Sequence, residues 1–168
     1  ILSIPNSVLV TLYYTLIHPY LSYCNLIWAL DRTTYLDKLF ISQKKAIRLI
    51  TNSNYNAHTY PLFSKLSILT VFQLNDLQIG CFVYQCINNS LPIKFCTMFK
   101  KNASIHLYNT RQSDSLHCEY RRLCLRSNTV RHYGVSLWNS LTDDIRNAIS
   151  FSVFKAKFKL NLHLSSIC

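Results

Sequence analysis

The first thirty residues carry no formal charge; Asp31 is the first Lys, Arg, Asp or Glu that the chain meets. Such a run either crosses a membrane or packs into a protein core. A span needs about 20 predominantly apolar residues. Here the run is interrupted by Asn6, Ser7, Thr11, Thr15, His18, Pro19, Ser22 and Asn25, and no Lys or Arg cluster anchors either end. Tyr13, Tyr14, Tyr20 and Tyr23 add hydroxyls that need partners. The helical spacing survives in two pieces. Leu9, Leu12, Tyr13, Leu16 and Tyr20 share one face, and Tyr20, Tyr23, Cys24 and Ile27 share another. Two buried helices meeting at a bend at His18-Pro19 are therefore expected.

The same spacing runs on. Asp31 is placed to cap a helix that ends near Ile50, with Leu36, Leu39, Phe40, Ala46, Ile47 and Ile50 as its apolar stripe. Pro61 opens a short helix. Residues 70–88 contain one formal charge, Asp76, so a helix buried nearly all round is expected there. A further short helix covers about 92–99. The polar stretch from Lys100 has no clear period. Helical order returns at "HYGVSLWNSL", a turn or helix start follows at "TDDIRNAIS", and Ser150 or Ser152 caps a last helix carrying Phe151, Phe154, Phe158 and Leu162. Only two Gly among 168 residues argue against a turn-rich β-sandwich. The fold class expected is mainly α: a compact helical bundle with a basic, loop-rich C-terminal section holding one or two short strands. By composition the bundle covers residues 1–99 and the basic section 100–168.

Charge points to a partner. Eighteen Lys and Arg against seven Asp and Glu give +11. Of this, residues 91–168 hold twelve basic and four acidic side chains. A field of that sign favours polyanions, either nucleic acid or an anionic membrane surface. Lys100, Lys101, Arg111, Arg121, Arg122, Arg126 and Arg131 alternate with Tyr108, Tyr120, His132 and Tyr133. Lys38, Lys44, Lys45 and Arg48 lie on the polar side of the helix that follows Asp31. Guanidinium groups pair with phosphates, and aromatic rings stack on bases. These eleven cations are the candidate nucleic-acid-binding residues. Arg side chains in such a segment also brace loops through backbone carbonyls.

Catalytic patterns are lacking in the sequence. There is no Gly-rich phosphate loop, Gly-x-Ser-x-Gly, His-Glu-x-x-His or Cys-x-x-Cys. Asp143 and Asp144 are neighbours whose side chains diverge. His106, His117, Cys118, Cys124 and His132 fit no usual zinc spacing. No catalytic residue, metal or cofactor is expected. Seven cysteines, an odd number with no signal peptide before them, suggest free thiols in a reducing, intracellular setting, nuclear or cytoplasmic. The chain begins with Ile rather than Met, so residue 1 is expected to be internal to a longer polypeptide.

Five stretches, in order, carry a resemblance: "LYYTLIHPYLSYCNLIW", "QKKAIRLI", "HLYNTR", "LWNSLTDDIR" and "FKAKFK". Together they resemble the C-terminal part of reverse transcriptases of non-LTR (LINE-type, jockey- and CR1-like) retrotransposons, over about residues 12–164. The resemblance implies a thumb and the helices beyond it, partnered by RNA, DNA or an RNA–DNA hybrid and by the palm and fingers of the parent polymerase. The palm, with its paired aspartates, would lie upstream, so this chain alone is not expected to be an enzyme. Thr142 stands where the family usually has Pro. Two alternatives remain: a helical protein-interaction module with incidental basic charge, and a decayed, non-functional copy of the element. A basic peripheral membrane protein is a further reading, with residues 151–164 as its one candidate amphipathic helix.

Overall fold

A computed structural model of the chain describes residues 4–29, 34–105, 111–119 and 129–164. These residues are mainly helical. Helix α1 (Asn6–Leu12) continues through a π-helical turn (Tyr13–Ile17) into α2 (His18–Ser22). Then come α3 (Asn25–Trp28), α4 (Thr34–Ile50), α5 (Tyr60–Leu66), α6 (Val71–Ile87) and α7 (Ile93–Cys96). A 3-10 turn (Asn102–Ser104) precedes α8 (Val130–Ser140), α9 (Asp143–Arg146) and α10 (Phe151–Leu164). No strand forms among the described residues; a single bridge pairs Lys101 with Leu116. Asp31, the expected cap of α4, lies outside them.

Packing divides the chain into two compact units, Ile1–Asn75 with Lys159–Cys168, and Asp76–Phe158. The boundary expected after residue 99 marks a change of composition, whereas these bounds mark where the chain packs on itself.

In the first unit, α4 presents its expected stripe. Leu36, Phe40, Ile47 and Ile50 are buried and join Tyr13, Leu21, Ala29, Phe63, Ile68, Val71 and Leu74 in one core. The polar member of that face is Gln43, only 2% exposed. Its Nε2 donates to Tyr13 Oη (2.8 Å) and to Leu69 O (2.9 Å), and its Oε1 accepts from Val71 N (2.9 Å). A second buried polar pair is Asn25 and Asn75: Asn75 Nδ2 donates to Asn25 Oδ1 at 2.6 Å. Pro61 sits in the first turn of α5, and Ser67 ends that helix in the left-handed region at φ 53°.

The N-terminal helices correct the expected faces. Tyr13 is buried and Leu9 half-buried, but Leu12, Leu16 and Tyr20 are exposed. Leu12 precedes the π turn and is not explained by it; for Leu16 and Tyr20 the cause is that turn, in which His18 N–H bonds Tyr13 O, five residues back. Pro19 has no N–H to donate, and its ring would press on the carbonyl four residues earlier. A wider turn absorbs one extra residue and shifts the phase of everything after it. The helix thus runs through Pro19 and breaks at Tyr23–Cys24, where Cys24 takes φ 50°. The second expected face fails because the helix breaks between Tyr23 and Cys24: Tyr20, Tyr23, Cys24 and Ile27 are exposed, while Leu21, Asn25 and Ala29 are buried.

The second unit is built on aromatic packing. Tyr84 stacks on Phe154 with ring centroids 4.4 Å apart, and Phe154 lies 5.8 Å from Trp138 and 5.7 Å from Phe158. Phe154 and Phe158 are buried as their spacing predicted, whereas Phe151, the first of that row, is 38% exposed; Gly80 lets Phe158 approach its backbone. Ser150 Oγ accepts from Val153 N at 3.3 Å, so the first of the two candidate caps opens α10. No residue of α6 is exposed, as expected of a helix with one charge. That charge, Asp76, accepts a 2.7 Å bond from Tyr133 Oη. Helix α7 is shorter than the expected 92–99.

No single helix among the described residues is long and apolar enough to cross a membrane; α5 and α6 reach that length only when joined across a 54° bend.

Candidate nucleic-acid interface

The candidate cations fall into two groups, one in each unit. The first lies on α4, whose core-facing stripe forces its charged residues outward. Lys38 and Lys45, seven residues apart, are both exposed. Seven residues are close to two full turns, so both project from one side at a rise of about 10 Å. Lys38 Nζ lies 5.6 Å from the centroid of the Tyr35 ring. Lys44 and Arg48 occupy the edge of the same helix and are half-buried. Lys44 Nζ sits 4.1 Å over Phe40 and 6.0 Å from Tyr60. Arg48 donates Nε (3.1 Å) and one terminal nitrogen (3.0 Å) to Ala57 O, and its guanidinium lies 5.8 Å from the Tyr55 ring. One Arg of the group therefore braces the 51–59 loop.

The described members of the second group border two clefts of the second unit. Lys100 and Arg131 line one of about 260 Å³ together with His117, Cys118, Glu119 and His132. Arg131 is paired with Glu119, which lines the same cleft. Cys118 Sγ lies 3.3 Å from His132 Nε2, and His117 Nδ1 lies 3.2 Å from Asn102 Oδ1. Lys101 and Arg111 line the other cleft, of about 420 Å³, with Asp114, Asp143 and Arg146. Lys101 Nζ is 3.4 Å from Asp114. Asp143 is held by Arg146, and Asp144 by Lys157 at 2.7 Å, so the adjacent acids are engaged by separate cations. Arg121, Arg122 and Arg126 lie outside the described residues, as do His106, Tyr108, Tyr120 and Cys124.

Sequence reasoning named the cations and missed the rings beside them. Tyr35, Tyr55 and Tyr60 are 76%, 75% and 53% exposed, yet each lies near a Lys or Arg of α4. For Tyr35 the signal was present as Tyr-x-x-Lys on a helix. For Tyr55 and Tyr60 there was none, because a loop brings them back to α4.

Titration concerns buried groups outside both clusters. Burial pushes the Cys81 and Cys86 thiols up to about 11, with Lys155 drawing Cys81 slightly back. Burial also raises Tyr13, opposed by the bond from Gln43. Burial, aided by Lys159, lowers His163.

Comparison with protein-family models, curated proteins and solved structures finds no match to this chain.

Proposed function

We propose that this chain is the thumb and post-thumb segment of a non-LTR retrotransposon reverse transcriptase, and that it holds RNA or an RNA–DNA hybrid through its basic residues. The observation that carries this reading is the outward side of α4, where Lys38 and Lys45 stand exposed above a rigidly packed stripe. A grip on phosphates needs that combination of a fixed body and solvent-facing cations. The five motif stretches support it, and so does one detail of backbone. Thr142, where the family usually carries Pro, takes φ −68° before α9, the value a proline ring would impose.

The test is the salt dependence of binding to a short RNA–DNA hybrid. For Z neutralised phosphates, log K falls with log salt at a slope of about −0.9Z. The Lys38→Ala/Lys45→Ala double variant should flatten that slope by up to roughly 2 units, with no change in sequence preference. The Arg121→Ala/Arg122→Ala double variant should do the same. Binding that ignores salt, or variants that keep the full slope, would overturn the proposal.

A second reading, a helical protein-interaction module, is favoured by the exposed apolar side chains of the N-terminal helices. Leu16 is 60% exposed, Tyr20 82% and Ile27 77%. Apolar association does not weaken as salt rises, so the same titration separates the two.

A further inference from the structure

Resting on the nucleic-acid reading above, we propose that the Lys44–Arg48 edge of α4, with Tyr55 and Tyr60, is a stacking platform for unpaired bases, and that its ligand is single-stranded RNA or DNA. Lys44 and Arg48 are four residues apart, so they project from one side about 6 Å apart along the helix. Each carries an exposed tyrosine: Tyr60 beside Lys44 and Tyr55 beside Arg48. The result is two adjacent repeats of one cation and one aromatic face.

Two features make the platform pre-organised. Arg48 is tied by two hydrogen bonds to Ala57 O, which fixes the guanidinium and the loop carrying Tyr55 in one geometry. Lys44 lies over the buried Phe40 ring, which in turn stands 6.4 Å from the Tyr60 ring. The Arg48 guanidinium thus has little freedom left to lose on binding. The charge is complementary to a phosphate backbone: the first unit holds seven basic and two acidic residues. A duplex keeps its bases paired and stacked inside, so exposed rings gain nothing from it. A single strand offers a π-face at every nucleotide and phosphates for the cations between them. The surface thus favours the unpaired strand over the duplex.

Removal of bases without removal of phosphates tests this. Fluorescence polarisation would compare a labelled thymidine octamer, an abasic octamer of the same length and the RNA–DNA hybrid. The base-bearing strand should bind at least about fivefold more tightly than the abasic one. The Tyr55→Leu/Tyr60→Leu double variant should lose that preference while keeping the affinity for the abasic strand and the salt slope on the hybrid. The Tyr55→Phe/Tyr60→Phe variant keeps both rings and should retain the preference. Equal affinity for the two octamers, or a preference that survives the double Leu variant, would overturn the platform and leave the phosphate grip standing. Absence of salt-dependent binding to all three probes would overturn both.

Discussion

Gln43→Leu should destabilise the protein even though it replaces a polar residue by an apolar one in a core. The Gln43 amide joins three separated parts of the first unit: Tyr13 in the N-terminal helix, Leu69 in the turn before α6, and Val71 at its first residue. All three residues are buried, at 1%, 8% and 0% exposure. Leucine fits the volume but strands the Leu69 carbonyl and the Val71 N–H. Each buried, unpaired backbone group costs about 1–3 kcal/mol, so the pair costs about 2–6 kcal/mol. Burying the leucine side chain returns about 2 kcal/mol of that. A net loss centred on about 2 kcal/mol remains, within a range of about 0–4 kcal/mol, which corresponds to a fall in Tm of up to about 16 °C for a chain of this size. Tyr13→Phe removes only one of the three bonds and should cost about 1 kcal/mol. Urea titration followed by far-UV circular dichroism measures both. If Gln43→Leu stays within about 0.5 kcal/mol of the parent, as an ordinary surface change does, the amide is not holding these segments together.

Three more outcomes follow from local geometry. A Cβ at Gly80 would collide with the Phe158 ring, and Phe158 is buried beside Phe154, so Gly80→Ala should lose about 1–2 kcal/mol despite its better helix propensity; calorimetry of Gly80→Ala in a Phe158→Leu background should show the loss shrinking. Thr142→Pro should be tolerated and gain about 0.4–1 kcal/mol, since Thr142 has φ −68° and Leu141 before it is extended at ψ 147°; a lower Tm in the variant would show that the turn does not accept the ring. Iodoacetamide at pH 8 should label exposed Cys24 and Cys118 well before Cys81 and Cys86, as peptide mass spectrometry would report, because burial leaves the latter pair protonated up to about 11. With native values raised from an unfolded value of 9.0, their contribution to stability is complete below pH 9 and is lost as pH climbs towards 11; equal labelling rates for all four would contradict it.

Where helices run was legible from the residues, because a buried stripe repeats every three to four positions. Leu36, Phe40, Ile47 and Ile50 announced α4, and Phe154, Phe158 and Leu162 announced α10. Which way the first helix faces was not legible. Its apolar residues cover so much of the circumference that a one-residue phase shift, introduced by the π turn ahead of Pro19, decides what is buried. The polar contacts Gln43–Val71 and Asn25–Asn75 were equally hidden, because periodicity assigns polar residues outward and their partners lie 28 and 50 positions away.

The stretch "QKKAIRLI" shows why a resemblance alone could not sort function from packing. Its letters serve four purposes. Gln43 points into the core, Lys44 lies across Phe40, Lys45 stands exposed, and Arg48 ties down Ala57. A chain could keep most of this motif to hold α4, α6 and the 51–59 loop in place, with or without a bound nucleic acid. The likeness of this stretch to a polymerase motif is therefore weaker support for the proposed binding than the cation that packing does not require. Lys45 is that residue. Gln43→Leu should lower stability without entering the salt slope through any lost charge, whereas Lys45→Ala should flatten the slope and leave Tm in place. If Lys45→Ala instead behaves like Gln43→Leu, the motif is structural throughout, and the case for a phosphate grip on α4 rests on Lys38 alone.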